Sequence, residues 1–315
     1  MLIYIATSII ILSLACFILM CFFFFNLAFK RKPPLNKKNA PRIEAESDNT
    51  HQTYFEDSVT WFKAQKQTTL EIVSNDGLNL KASYIECPNS EKLALVIHGW
   101  TSNRYEMGGL AKLYYEMGYS ILAPDQRGHG ESDGKYYGFG LYESDDMLLW
   151  LKKAIDKFHP KQILITGHSM GGATTMMLSQ KVLPDEVKCM IEDCGYSSLN
   201  EQMACAAKNI MPKWLHFIIP CVLCTASLIS RVLQGYGFPQ VDCASAVRAC
   251  TRPMLFIHGD KDELVPCFMV NTCFDACTSQ KELLIVKNAE HAKSIAENRA
   301  LYKKTVQDFV NKYIN

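Results

Sequence analysis

The chain has 315 residues, enough for one large domain or two small ones. Its 33 Lys and Arg residues almost balance 32 Asp and Glu residues, which leaves a net charge of +1. No basic stripe and no charged tail is present, so the sequence gives no indication of a nucleic-acid partner.

The cysteine content argues against a secreted disulfide scaffold. Of the 13 cysteines, Cys16 and Cys21 lie in the apolar N-terminus, and the others form an odd set without regular spacing. Disulfide scaffolds are usually small and carry an even number of cysteines, so we expect free thiols in a reducing compartment. Cys221 and Cys224 have the spacing of metal ligands, but they lie in an apolar run without a second pair. We therefore expect no metal and no cofactor.

The first element is a long apolar segment. Residues 2–29 contain no charged side chain and are almost wholly apolar, which exceeds the roughly 20 residues that a helix needs to cross a bilayer. No Lys or Arg precedes the segment, whereas a signal peptide begins with basic residues. The segment is followed directly by Lys30, Arg31, Lys32, Lys37 and Lys38. These features predict an uncleaved transmembrane anchor with the rest of the chain on the cytoplasmic side.

A polar segment separates this anchor from the main domain. Residues 30–52 contain three prolines and no hydrophobic periodicity, which predicts a linker. The remaining residues, 53–315, are expected to form one catalytic domain that begins with a helix near residues 54–65. Alternating residues 69–73 and 78–84, joined by Asn75-Asp76-Gly77, predict a β-hairpin.

Apolar strands then alternate with amphipathic helices. Helices are predicted over residues 107–117, 141–158 and 295–313, and strands over 93–97, 120–123, 163–166, 187–191, 254–257 and 283–286. Strands without polar alternation are typical of a sheet that is buried on both faces. The pattern predicts an α/β fold with a mostly parallel, doubly wound sheet and antiparallel strands at one edge.

One segment interrupts the alternation. Residues 197–250, which we call the cap segment, contain helix-like apolar stretches and no predicted strand. Because the segment lies between two central strands, we expect it to cover the strand ends as a helical cap. Trp214 and Phe217 are predicted to line an apolar pocket there, although simple packing helices remain an alternative. Pro220 and Arg231 interrupt the apolar run, so we do not expect a second membrane span.

The strongest motif is a strand, a tight turn and a helix around Ser169. An apolar strand leads into Gly167-His168-Ser169-Met170-Gly171, and small and apolar residues follow at helical spacing. This is the context in which Gly-x-Ser-x-Gly presents a nucleophilic serine above a sheet. The two glycines lack Cβ atoms, so strand and helix can approach each other closely around a strained serine.

A serine nucleophile needs a base and a carboxylate that orients the base. His291 follows the last predicted strand and Asp262 follows the preceding one, so both are expected at the edge of the sheet where Ser169 lies. Asp193, Asp260 and Glu290 remain alternative acids. The other histidines are less suitable as bases; His98, His129 and His258 stand in His-Gly turns, where hydrogen bonds to the backbone explain them.

An oxyanion intermediate needs backbone donors that are already in place. The amide of Met170 is predicted to be one, because it lies directly after Ser169 at the start of a helix. The Trp100 amide is the candidate for the second, since Gly99 before it allows the loop to approach the site.

Together, these motifs resemble the α/β-hydrolase superfamily from about residue 68 to residue 314. The resemblance rests on five motifs: His98-Gly99-Trp100, the run from Asp125 to Ser132, the turn at Ser169, the His-Gly-Asp-Lys-Asp run that ends at Asp262, and Glu290-His291. Within the superfamily, the chain is similar to membrane-anchored bacterial hydrolases of the serine aminopeptidase and acylglycerol lipase-like branch. The resemblance implies a Ser169–Asp262–His291 triad with oxyanion amides at Trp100 and Met170.

The sequence therefore predicts a serine hydrolase of the carboxylesterase or lipase-like class that cleaves small ester or acyl substrates through an acyl-enzyme. A serine peptidase or an acyl-thioesterase with the same triad is the alternative, and a peptidase would use a carboxylate such as Asp242 to hold an amino terminus. A non-catalytic, membrane-tethered binding module is the remote alternative, because such a module would be expected to have lost the triad. The sequence does not determine the oligomeric state.

Overall fold

An eight-stranded sheet forms the centre of the computed structural model, which describes residues 1–32 and 49–314. The spatial order of the strands is β1-β2-β4-β3-β5-β6-β7-β8. The strands are β1 (Gln67–Val73), β2 (Asn79–Ile85), β3 (Lys92–Ile97), β4 (Ser120–Pro124), β5 (Gln162–His168), β6 (Val187–Asp193), β7 (Met254–Gly259) and β8 (Lys281–Val286). Each strand predicted from the sequence is present.

The predicted strand directions are confirmed. β1 pairs with β2 and β2 pairs with β4 in antiparallel fashion, as expected for an N-terminal hairpin at one edge. All other neighbours, from β4 through β3 to β8, are parallel. The carboxyl ends of these parallel strands therefore lie along one side of the sheet, which we call the carboxyl edge.

Helices cover the sheet. They are α1 (Leu2–Phe29), α2 (Asn49–Ala64), α3 (Gly108–Glu116), α4 (Leu141–Phe158), α5 (Met170–Ser179), α6 (Leu199–Ile210), α7 (Ile219–Gln234), α8 (Cys243–Arg248), α9 (Phe268–Ala276), α10 (Ser294–Glu297) and α11 (Arg299–Val310). The predicted closing helix is two helices, because Asn298 leaves the helical conformation and its side chain caps α11 by accepting from the Leu301 amide.

Two hydrophobic cores lie on opposite faces of the sheet. Leu95 and Ile165 belong to one core, whereas Val96 and Leu164, one residue away in each strand, belong to the other. Successive side chains of a strand point to opposite faces, so a strand that is apolar throughout contributes to both cores. This arrangement confirms the doubly wound sheet that the unbroken apolar strands predict.

The end of α1 packs on the sheet domain. Cys21, Phe25 and Phe29 are spaced four residues apart on one helix face and are each at most 2% exposed. Lys30 forms a β-bridge with Tyr136, so the first residues of the predicted linker are docked rather than free. Residues 33–48 of the predicted linker lie outside the described part of the chain, and residues 49–52, also predicted as linker, form the first turn of α2.

The cap segment contains α6, α7 and α8 and, as expected, no strand. By length and composition alone, two stretches of the described chain could cross a membrane, Ile3–Phe29 and Lys213–Gln234. The second consists of a short 3-10 helix, Lys213–Ile218, followed by α7. α7 has 16 residues, or about 24 Å at 1.5 Å per residue, which is shorter than the hydrocarbon core of a bilayer.

Candidate active site

Ser169 lies on a sharp turn between β5 and α5 at the carboxyl edge. Its backbone has φ 56° and ψ −117°, an unusual conformation for a residue with a side chain. A Cβ on Gly167 would lie 2.0 Å from the Gly171 carbonyl oxygen, and one on Gly171 would lie 2.2 Å from the Ile97 carbonyl oxygen. The close approach and the strained serine predicted from the two glycines are therefore confirmed. Strain of this kind costs about 1–3 kcal/mol and is typical of functional sites.

A continuous hydrogen-bond chain links Ser169, His291 and Asp262. Ser169 Oγ lies 2.9 Å from His291 Nε2, and His291 Nδ1 lies 2.7 Å from Asp262 Oδ2. His291 comes from the loop after β8, and Asp262 from the loop after β7. An imidazole held in this way can accept the serine proton at Nε2 while Nδ1–H donates to the carboxylate.

Asp262 is held more firmly than its place in the sequence indicates. Its Oδ1 accepts hydrogen bonds from the backbone amides of Leu264 at 3.0 Å and Val265 at 2.8 Å. Its Oδ2 also lies 3.3 Å from Nε2 of the buried His258. Burial by itself would raise the pKa of Asp262, but the hydrogen bonds from His258 and His291 outweigh it and lower the pKa to about 2. Asp262 is therefore an anion at neutral pH and can stabilise a protonated His291.

The alternative acids have other partners. Asp193 is buried and its Oδ2 accepts from the Tyr302 hydroxyl at 2.9 Å. Asp260 accepts from the Asn288 amide at 2.6 Å, and Glu290 pairs with Lys293 at the surface. Of the four acids that the sequence left open, the structure brings only Asp262 into hydrogen-bond contact with His291.

The amides of Trp100 and Met170 lie on the two backbone segments that flank Ser169. Met170 is the first residue of α5, directly after the serine. Gly99, which precedes Trp100, packs so closely that a Cβ there would lie 3.2 Å from Ser169 Cβ. Within the described residues, neither amide donates a hydrogen bond. Both amides are thus free to donate to a negatively charged oxygen formed next to Ser169.

The three His-Gly histidines bond to turn backbone, as the sequence predicts. His98 Nδ1 donates to the Gly99 carbonyl at 2.8 Å and its Nε2 accepts from the Gln126 amide. His129 Nδ1 donates to the Arg127 carbonyl at 2.9 Å, and His258 Nε2 donates to the Val265 carbonyl at 2.7 Å. The first two shape the loops after β3 and β4, whereas His258 also supports Asp262.

Two groups of side chains near the site could ligate a metal, and one of them overlaps with this hydrogen-bond chain. Among the described residues, Cys194, Asp262 and His291 present donor atoms within 4.8 Å of one another, as do His168, Asp193 and Cys194. A metal in the first group would take the nitrogen and carboxylate of His291 and Asp262 that already bond to each other. Cys194 is buried, which raises the pKa of its thiol well above the usual value and disfavours the thiolate that a metal needs.

One part of the predicted site is wrong. Trp214 and Phe217 do not line a pocket; their side chains are 74% and 77% exposed on the outer surface of the cap segment. The cap segment reaches the site instead through α6, where Gln202 Nε2 donates to the Leu264 carbonyl at 3.0 Å. Hydropathy shows that a helix has an apolar face, but not which neighbour that face meets.

Comparison with known proteins shows which fold this chain has. A family model described as alpha/beta hydrolase fold matches residues 94–219. The structure of the Pyrococcus furiosus esterase Pf2001 superimposes with a TM-score of 0.68 at 22% identity, covering 91% of this chain and 99% of that one. The chain has the α/β-hydrolase fold. Ser169 lies at the strand-to-helix turn where this fold presents a nucleophile.

Two relatives are similar to this chain in sequence over most of their length. The uncharacterized protein YqkD of Bacillus subtilis is 28% identical over 272 residues, which cover 85% of this chain and 86% of that protein. Monoglyceride lipase of Rattus norvegicus is 24% identical over 251 residues, covering 70% of this chain and 82% of the lipase. The sequence likeness to YqkD extends beyond residues 94–219, which the family model matches.

One contact of the candidate site could not be predicted from the sequence. The indole Nε1 of Trp100 donates to the backbone carbonyl of Ala28 at 3.0 Å, so the last turn of α1 holds the residue next to Gly99. Lys32 lies over the same indole ring at 4.5 Å. Nothing in the sequence signals this contact, because the residues are 72 positions apart and the apolar run predicts only a membrane helix.

Proposed function

We propose that this protein is a serine esterase with Ser169 as nucleophile, His291 as general base and acid, and Asp262 as the carboxylate that orients His291. The observation that carries the proposal is the unbroken chain from Ser169 Oγ through His291 to Asp262 on a strained turn. Two of the similar proteins described above carry names that denote reactions on esters, the esterase Pf2001 and the monoglyceride lipase. Their names support the same reaction class for this chain.

In the proposed mechanism, His291 Nε2 takes the proton of Ser169 as Oγ attacks the ester carbonyl carbon. The negative charge on the carbonyl oxygen is accepted by the amides of Trp100 and Met170, each worth about 3 kcal/mol of barrier. The bond to the alkoxy oxygen breaks, and His291 returns its proton to that oxygen, which releases the alcohol. Water then attacks the acyl-serine while His291 takes its proton, and the bond between the acyl carbon and Ser169 Oγ breaks. His291 returns the proton to Oγ, which regenerates Ser169 and releases the carboxylic acid.

The observed contacts give no support to the peptidase alternative. Asp242, the carboxylate available to hold a free amino terminus, caps α8 by accepting from the Ser245 amide at 2.9 Å and from its hydroxyl at 2.7 Å. With that carboxylate engaged, an ester or a thioester is the better-supported substrate class.

The position of the catalytic domain relative to a membrane is a second part of the proposal. We infer that α1 spans a membrane and that the catalytic domain lies on the cytoplasmic side, since basic residues follow the helix directly. The proposed substrate is therefore a small ester or acyl compound available at a cytoplasmic membrane surface. Proteolysis of sealed, inside-out membrane vesicles should degrade the domain, and protection of the domain would reverse the orientation.

The test compares full-length wild type, Ser169→Ala and Ser179→Ala with a fluorophosphonate probe and p-nitrophenyl esters of increasing acyl length. Ser179 lies on the same helix and is also buried, so it is a matched control for loss of a hydroxyl. We expect labelling and ester turnover in wild type and the control, and neither in Ser169→Ala. Labelling without ester turnover, together with turnover of a thioester or an amide, would replace the esterase by that activity. Retained turnover in folded Ser169→Ala would refute the nucleophile.

A further inference from the structure

The last turns of α1 belong to the catalytic domain rather than to the membrane span. α1 has 28 residues, about 42 Å of helix, whereas the hydrocarbon core of a bilayer is about 30 Å thick. The excess corresponds to roughly two turns, and the turns at the C-terminal end carry the buried face of Cys21, Phe25 and Phe29. Phe29 stacks on Phe238 of the cap segment with ring centroids 5.2 Å apart.

α1 leaves the domain at the carboxyl edge, beside the candidate site. It packs against α7 of the cap segment, and its Ala28 carbonyl accepts the Trp100 indole proton. The exposed residues of α1, from Ile3 onwards, therefore continue away from the side of the domain that carries Ser169. A bilayer spanned by these residues must lie next to the cap segment.

The outer surface of the cap segment is apolar. Five large side chains there are between 61% and 77% exposed, and we call them the cap ridge: Ile210, Trp214, Phe217, Leu228 and Val232. Leu228 and Val232, four residues apart on α7, share one helix face, and exposed apolar side chains in such numbers usually mark a contact with a protein or a membrane.

The charged side chains of the cap segment between residues 202 and 241 have one sign. Residues 202–241 contain no Asp or Glu, whereas Lys208, Lys213 and Arg231 are present and exposed. Basic side chains beside exposed Trp, Phe and Leu are the composition of helices that lie in a membrane interface, where cations meet lipid phosphates.

We propose that the cap ridge is embedded in the interface of the same bilayer that α1 spans, so that the candidate active site faces the lipid. This proposal rests on the proposed role of α1 as a membrane anchor. The bilayer is favoured over a second copy of the chain because α1 already brings it alongside α7, and because these cations attract anionic lipid headgroups but would repel the same cations on a second copy. An active site in this position receives esters that are dissolved in the membrane, which narrows the proposed substrate class to lipid esters.

Tryptophan quenching tests the proposal without relying on activity. Full-length protein is reconstituted in phosphatidylcholine–phosphatidylglycerol vesicles, with and without bromine on the acyl chains. The emission of Trp214 is obtained as the difference between wild type and Trp214→Phe. We expect brominated lipid to reduce this emission at least twofold and acrylamide in the water to quench it weakly.

Two further variants, each made in the Trp214→Phe background, provide the reference values. Val182→Trp places the reporter in the loop after α5, at the opposite edge of the sheet, where the side chain is 95% exposed. It should be quenched by acrylamide and not by brominated lipid. Ile10→Trp places the reporter within α1 and should be quenched by brominated lipid if α1 spans the bilayer.

The outcomes separate the proposal from the role of α1. If Ile10→Trp is quenched by brominated lipid while Trp214 behaves like Val182→Trp, α1 is an anchor and the cap ridge faces water, which overturns the proposal. If Trp214 is protected from both quenchers, protein covers the cap ridge, which also overturns it and favours a second copy. If Ile10→Trp is not quenched by lipid, the anchor itself is refuted and the proposal fails with it.

Discussion

Replacing the buried Glu192 by glutamine should make the domain more stable, and increasingly so as pH rises. Glu192 is fully buried at the end of β6, where its Oε2 accepts from the Gly195 amide at 2.9 Å. Within the described residues, its Oε1 has no hydrogen-bond partner. Burial raises the pKa of this carboxyl from 4.5 to about 8, so the folded protein holds it neutral at pH 7.

The direction in which stability changes with pH follows from proton linkage. Because the folded state binds this proton more tightly than the unfolded state, the stability contribution is complete below pH 4.5 and is lost as pH rises to about 8. At roughly 1.4 kcal/mol per pH unit, the loss is about 3 kcal/mol at pH 7 and about 5 kcal/mol above pH 8. Glutamine has no proton to lose and keeps the acceptor for Gly195, so Glu192→Gln should escape this loss.

The assay is thermal unfolding of full-length protein in detergent, followed by intrinsic tryptophan fluorescence at pH 5, 7 and 8.5. At about 2 °C per kcal/mol, the melting temperature of Glu192→Gln should gain about 6–10 °C on wild type between pH 5 and pH 8.5. The control is Glu86→Gln, the same chemical change at an exposed position, which should track wild type at every pH. If the difference in melting temperature between Glu192→Gln and wild type were the same at every pH, the claim that a neutral carboxyl is buried there would be refuted.

Three further predictions concern the site and its connection to α1. Asp262→Asn should lower ester turnover by about 10⁴-fold, because His291 loses its anionic partner, as measured by steady-state kinetics. Gly171→Ala should destabilise the domain by about 3 kcal/mol and abolish fluorophosphonate labelling, because its Cβ would lie 2.2 Å from a carbonyl oxygen of β3. Phe29→Ala should cost about 3–5 kcal/mol in thermal unfolding, because a buried aromatic ring is lost.

Matched variants sharpen these predictions. Asp260→Asn, two residues from Asp262, should retain most of the turnover, and an equal loss in both would mean that the loop rather than the triad is affected. A Cβ on Gly172 would meet no atom closer than 3.1 Å, so Gly172→Ala should keep more of the labelling than Gly171→Ala. Phe24→Ala removes an exposed ring of the same helix, so equal melting temperatures for Phe24→Ala and Phe29→Ala would contradict the docking of α1.

Much of the fold could be predicted because its signals are local. A strand such as β3 or β5 is continuously apolar since both of its faces are buried, and this property is visible in the sequence. The turn at Ser169 is equally local, because glycine is required where strand and helix backbones touch. The order of Ser169, Asp262 and His291 followed from placing each after a strand, since parallel strands end at the same edge.

The tertiary structure was needed wherever the role of a residue depends on which distant residue it contacts. The sequence left four acids for His291, and only folding shows that Asp193 bonds to Tyr302 while Asp262 meets both His291 and His258. Similarly, the apolar pattern of the cap segment predicts helices but not that Trp214 points outward.

The sequence by itself determined that the chain has an apolar N-terminal helix, a mostly parallel sheet and a serine on a tight turn, because each depends on residues close together in the chain. Only the tertiary structure decided that the end of α1 packs on the cap segment and binds Trp100. Contacts between residues 72 positions apart depend on how whole elements pack, and neither hydropathy nor spacing encodes that geometry.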